Sequence, residues 1–131
     1  MKIFLDDVRE PYMCANYMYH RIGVLNPVYL EDWFVVRNYD EFVDVIAKHI
    51  DEIEYVSFDH DLSDEHYDPS MNDNDDLRYN NLYNEFKEKT GYECAKWMLD
   101  FYKEKGKELP FIFVHSMNPI GTQNIINVFK N

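Results

Sequence analysis

Tyr55-Val56-Ser57-Phe58-Asp59-His60-Asp61 sets an apolar run directly against a knot of ionisable side chains. Four residues, three of them suited to a pleated surface, run into two carboxylates and an imidazole with no turn residue between them. The pattern recurs along the chain. Lys2-Ile3-Phe4-Leu5 is cut off by Asp6-Asp7, and Phe111-Ile112-Phe113-Val114 ends at His115-Ser116. Trp33-Phe34-Val35-Val36 is a fourth strand candidate, rich in aromatic and β-branched residues.

Helical signals lie between these runs. Asn38 or Asp40 opens a helix with Phe42, Val43, Ile46, Ala47 and Ile50 at helical spacing. Thr90 with Glu93 three residues on reads as a capping box; Ala95, Met98, Leu99 and Tyr102 form the stripe that follows, and Gly106 ends it. Asn118-Pro119 reads as a cap followed by proline in the first turn, with Ile120, Ile125, Ile126 and Phe129 as the buried face. Residues 9–30, punctuated by Pro11, Gly23 and Pro27, read as irregular. Strands alternating with helices imply a parallel sheet covered on both faces. Right-handed crossovers order four such strands as 2-1-3-4. The expected fold is a small three-layer α/β sandwich of the flavodoxin-like kind.

The chain has 131 residues, with 46% apolar and 29% charged, which suits one domain over 1–131 with a core of its own. Thirteen basic residues against 25 acidic give a net charge of −12, so no general footprint for duplex DNA or an anionic membrane surface is expected. Residues 59–88 hold 10 acidic and 2 basic residues and read as an acidic loop insertion, a solvated lid that includes His66. Cys14 and Cys94 stand far apart in no metal or redox spacing. With no leader and no apolar run of membrane length, a cytoplasmic protein with reduced thiols is expected. Asp73-Asn74-Asp75-Asp76 lacks the glycine and closing glutamate of a calcium loop, and no glycine-rich phosphate loop is present.

In open α/β sheets, ligands bind at the carboxyl ends of strands, where the strand order reverses. In the order 2-1-3-4 that crevice lies between strands one and three. Asp6 and Asp7 would therefore face Asp59, His60 and Asp61, with His115 and Ser116 one strand away. Crowded carboxylates hold a hard cation or share a proton. An all-oxygen set suits Mg²⁺, whereas adding His60 or His115 would favour Mn²⁺ or Zn²⁺. His115 suits a general acid/base or a ligand, and Arg9 could clamp a phosphate. Ser116, Asn118 and Gly121 lead into a helix start, where backbone N–H groups attract an anion.

An acidic pair after the first strand, an aspartate after the third and a small hydroxyl residue after the fourth resemble the receiver-domain superfamily, with Asp6, Asp7, Asp59 and Ser116 in those places. No fifth strand with a terminal lysine follows. Leu5-Asp6-Asp7-Val8-Arg9-x-Pro11, Phe58-Asp59-His60-Asp61-Leu62, Thr90-Gly91-Tyr92 and His115-Ser116-x-Asn118-Pro119-x-Gly121 are similar to one branch: the cyclic-phosphate processing receiver-like domain of bacteriophages and bacterial conflict or RNA-repair loci. The resemblance implies a metal-dependent phosphoesterase acting on a small nucleotide or an RNA-end cyclic phosphate, in the host cytoplasm if phage-encoded. Asp6, Asp7 and Asp59 would hold Mg²⁺ or Mn²⁺; His60 and His115 would share the acid and base roles beside Asp59 and Asp61. Arg9, Ser116, Asn118 and Gly121 would bind phosphate, and the aromatic segment from Tyr12 to Tyr19 could stack a base. A module that sequesters a cyclic nucleotide without cutting it, and a degenerate phospho-receiver using Asp59 covalently, are the alternatives.

Overall fold

A computed structural model describes residues 1–15, 27–62 and 89–130. Four strands, β1 (Lys2–Leu5), β2 (Phe34–Val36), β3 (Tyr55–Phe58) and β4 (Phe111–Val114), form one sheet in the order β2-β1-β3-β4. Every pairing is parallel: Leu5 stands opposite Val36 on one side and Phe58 on the other, and Phe58 stands opposite Val114. Besides a helical stretch at 11–15, three longer helices accompany the sheet among the described residues, α1 (Tyr39–His49), α2 (Gly91–Lys105) and α3 (Pro119–Phe129).

The strands are short and apolar, so each presents alternate side chains to two covered faces. Ile3 and Leu5 of β1, Val36 of β2, and Val56 and Phe58 of β3 join Phe42, Val45 and Ile46 of α1, four residues of α2 and Ile125 of α3 in one core. The three helices pack side by side, with α2 between α1 and α3. Phe4 belongs to a second cluster with Cys14, Ala15 and Tyr29, bordered by Val28, Trp33 and Val35. This third layer comes from the connection between β1 and β2. Residues 11–15 form a helical stretch there, and Pro27–Leu30 forms a 3₁₀ turn. Both bring order to a span expected to be irregular.

Local readings differ in four places. Trp33 lies just before β2, in the second cluster, where its indole N–H donates to Val28 O at 2.8 Å. In α1 the buried residues are Phe42, Val45 and Ile46, while Ala47 is exposed and Ile50 is the C-cap. Thr90 is the N-cap of α2, yet its hydroxyl makes no cap bond among the described residues and the residue is buried; Glu93 pairs instead with Lys96 at 3.2 Å. Ile126 of α3 is exposed, since Gly121 and Ile125 take the inward positions. The caps at Asn38, Gly106 and Asn118 form as expected. Asn38 Oδ1 accepts from Glu41 N, and Gly106 adopts φ +65°, with Lys107 N closing back on Tyr102 O at 3.0 Å.

Candidate functional site

The parallel ladder continues one residue past each strand, and this assembles the site. Asp6 N donates to Val36 O at 3.1 Å, Asp59 N to Leu5 O at 2.9 Å, and His115 N to Phe58 O at 3.0 Å. The residue after each of β1, β3 and β4 is thus held by sheet geometry at the carboxyl edge. Asp6, Asp59 and His115 are all buried. One carboxylate oxygen from each of Asp6, Asp7 and Asp59 lies within 4.8 Å of the others.

Asp6 is fully occupied. Its Oδ1 accepts from Val8 N at 3.0 Å and Arg9 N at 2.7 Å, and its Oδ2 from Arg9 Nε at 2.8 Å and His115 Nε2 at 3.1 Å. Burial works against its charge, but the His115 and Arg9 bonds, the Arg9 guanidinium and the Val8 N–H outweigh it. The carboxyl is held well below the usual range. Arg9 spans the crevice: Nη2 lies 3.4 Å from Asp59 Oδ1 and 3.4 Å from the His115 carbonyl.

Asp7 and Asp59 are arranged differently. Asp7 Oδ1 and Asp59 Oδ2 are buried and have no hydrogen-bond donor among the described residues. Burial and the Asp6 charge push Asp59 up to about 8, against the pull of Arg9, and push Asp7 up to about 6. Three carboxylates face one guanidinium, so the cluster retains two negative charges when all are ionised. Two orphaned oxygens with residual charge fit a hard divalent cation held by Asp7 and Asp59, with Asp6 alongside.

His60 and Asp61 form a second polar pair. His60 Nδ1 lies 2.9 Å from Asp61 Oδ1, while Asn118 Nδ2 reaches Asp61 Oδ2 at 3.3 Å. Gly121 makes room for this imidazole, because a Cβ there would stand 2.4 Å from His60 Cγ. Gly91 does the same for the backbone. A Cβ would lie 1.7 Å from Asp59 O, and Gly91 N donates to His60 O at 2.8 Å. These glycines seat α2 and α3 against Asp59-His60.

The residues expected to bind phosphate have other partners. Asn118 Oδ1 caps α3 by accepting from Gly121 N at 3.0 Å, and Ser116 Oγ accepts from Asn118 N at 3.0 Å. Arg9 keeps its place beside the acids. Residues 63–88, including His66, lie outside the described residues, as do Tyr17 and Tyr19; Tyr12 is exposed.

Three residues at the site escaped the sequence reading. Ser57 Oγ lies 2.6 Å from His115 Nδ1, and Tyr29 OH lies 2.9 Å from Ser57 Oγ. A hydroxyl inside a buried apolar strand was the available signal for Ser57; Tyr29 was hidden in a span of unassigned aromatics. Cys14 groups with Asp6 and His115 within 4.8 Å, and burial pushes its thiol up to about 12.

A carboxylate pair after β1, an aspartate after β3 and a histidine after β4 now stand at one edge of a 2-1-3-4 parallel sheet. The family model of the cyclic-phosphate processing receiver domain matches residues 1–131. The chain belongs to this family. No curated protein and no solved structure matches it. As a cyclic-phosphate processing receiver domain, it places its acidic cluster where β1 and β3 part toward opposite edges of the sheet. Among the described residues, no helix is long and apolar enough to cross a membrane.

Proposed function

We propose that this receiver domain is a metal-dependent phosphoesterase that opens a cyclic phosphate, either a 2′,3′-cyclic end or a cyclic nucleotide. The observation that carries this reading is the pair of buried, donor-less oxygens on Asp7 and Asp59 beside Arg9. Asp7 and Asp59, with the charge of Asp6 alongside, would hold Mg²⁺ or Mn²⁺, which supplies charge neutralisation and a water of lowered pKa. Arg9, already at the mouth of the cluster, donates to the non-bridging oxygens of the phosphate. His60 is the proton-transfer residue. Asp61, 2.9 Å from its Nδ1, orients the ring and stabilises the imidazolium that forms on proton transfer. His115 takes no direct part in this scheme, because both of its ring nitrogens face protein groups.

The test is incubation of the protein with Mg²⁺ or Mn²⁺ and a panel of 2′,3′-cyclic and 3′,5′-cyclic nucleotides, with products separated by chromatography. Ring opening of one class is expected, lost on chelation and reduced by at least about a hundredfold in His60→Ala, the usual worth of a general acid/base. Retention of an intact cyclic nucleotide without turnover would replace hydrolysis by sequestration. A beryllofluoride adduct on Asp59 would point to covalent receiver chemistry.

A further inference from the structure

A chain of polar atoms leads from Tyr29 of the second cluster to the site. Tyr29 OH, Ser57 Oγ, the two ring nitrogens of His115 and Asp6 Oδ2 follow one another at 2.9, 2.6 and 3.1 Å. We propose that Tyr29, Ser57 and His115 form a buried positioning relay, which fixes the Asp6 carboxylate and, through it, seats Arg9 beside Asp59.

Donor and acceptor chemistry gives the relay one direction. An ionised carboxylate only accepts, so His115 Nε2 carries the hydrogen that Asp6 receives. A neutral imidazole has one N–H, which leaves Nδ1 as an acceptor, and among the described residues the group offered to it there is the Ser57 hydroxyl. Ser57 then donates to Nδ1 and accepts from the Tyr29 hydroxyl. Each hydrogen is used once, and no donor in the chain is wasted.

The walls of the site hold the ring in that orientation. Phe4 stacks on the imidazole at 4.2 Å between centroids with 9° between planes, and Tyr29 meets its edge at 6.1 Å and 76°. Ser57 is fully buried, where an unpaired hydroxyl would be costly, so its presence between Val56 and Phe58 is explained by the two partners it serves.

Asp6 is the point of delivery. With four donors on its two oxygens, it acts as an anchor for the Arg9 backbone and for Arg9 Nε. The guanidinium is thereby aimed so that Nη2 meets Asp59 Oδ1 and the His115 carbonyl. His115 therefore touches Arg9 by two routes, once through Asp6 and once through its own backbone. Tyr29, Ser57 and His115 are positioning residues. Their effect on turnover rests on the phosphoesterase reading, whereas the relay itself does not.

The test joins imidazole ¹⁵N spectra of His115 with turnover of a 2′,3′-cyclic nucleotide, in the wild type, Ser57→Ala, Tyr29→Phe and the double variant. In the wild type, Nε2 is expected to carry the proton and Nδ1 to show a bare, hydrogen-bonded signal. Ser57→Ala should move the Nδ1 signal to that of a nitrogen without a donor and lower kcat about tenfold, the worth of one hydrogen bond. Tyr29→Phe keeps the ring in place, so it carries the test if Ser57→Ala fails to fold. It should shift the same signal in the same direction, with a loss of about threefold. In the double variant Tyr29→Phe should add nothing, since its influence passes through Ser57. An Nδ1–H or doubly protonated His115 in the wild type would overturn the relay, as would an unmoved Nδ1 signal in both single variants. Absence of turnover with any cyclic phosphate would remove the phosphoesterase reading while the nitrogen spectra still decided the relay.

Discussion

The two faces of the sheet are built from the same strands and do different work. Toward the helices, β1 and β3 present Ile3, Leu5, Val56 and Phe58, and the packing is apolar throughout, with Phe58 between the rings of Phe42 and Phe129. Toward the β1–β2 connection, the intervening positions Phe4 and Ser57 face Tyr29, Trp33 and His115, and a hydrogen-bonded line runs through the aromatics. A face that only buries surface tolerates any side chains that fill it. A face carrying directed hydrogen bonds specifies both partners and tautomer. The helix face should therefore govern stability, and the opposite face should govern the site.

The largest effect on that contrast is expected from Phe58→Ala. This ring is fully buried on the helix face, and its loss should cost about 3–5 kcal/mol in denaturant unfolding. A loss below ~1 kcal/mol would mean that the helix face is not the stabilising one.

Gly91→Ala comes next. Its Cβ would meet the Asp59 carbonyl, which is backbone and cannot swing aside, so the clash should outweigh the gain in helix propensity and destabilise by about 1–3 kcal/mol. Gly121→Ala meets the His60 side chain. It should cost less stability than Gly91→Ala while displacing the His60 resonances, and the reverse ranking would contradict the seating described above.

Asp59→Asn separates charge from shape. The native Asp59 carboxyl titrates near 8, above its ordinary value of 3.8. Between those values the folded state binds more protons than the unfolded state, so the metal-free protein should lose stability as pH rises through this window. Asp7, raised to about 6, adds to the same slope, whereas Asp6, held low, keeps its contribution there and loses it only in acid. Thermal unfolding should show Mg²⁺ stabilising the wild type more at pH 8 than at pH 5. Asp59→Asn should unfold at a higher temperature than the metal-free wild type at pH 8 and respond weakly to Mg²⁺; equal responses would remove Asp59 from the cation site.

The smallest effect is expected from Asn118→Ala. It removes the α3 cap and one contact to Asp61, for a loss of about 1 kcal/mol by chemical denaturation. No change in stability would mean that solvent replaces the cap.

Much of the fold was legible because its signals are local. Three strands end where Asp6, Asp59 and His115 interrupt apolar runs, and the caps at Asn38, Gly106 and Asn118 are short-range chemistry. The misread Thr90 box shows the limit of such patterns: burial of the threonine and the neighbouring Lys96 decided the outcome, and neither is visible in the spacing. Within the site, strand-end placement was readable, since a parallel register brings those ends level. Occupancy was not. That Asp6 is saturated while Asp7 and Asp59 each keep an open oxygen depends on side-chain directions set by Arg9 and His115, which are far apart in sequence. Tyr29 was illegible for the same reason, because only the fold brings it to Ser57.

The central place of β1 bears on how the molecule comes into being. In the sheet β1 is flanked on both sides by strands that follow it in the sequence, and Asp6 meets His115 across 109 positions. Its amide and carbonyl groups must wait for residues 34–36 and 55–58 before either edge is satisfied. Long-range closure of this kind slows assembly. A nascent or truncated chain ending before residue 115 has no means of completing the polar line that holds Arg9, so maturation of the site is timed by synthesis of β4 and the histidine that follows it.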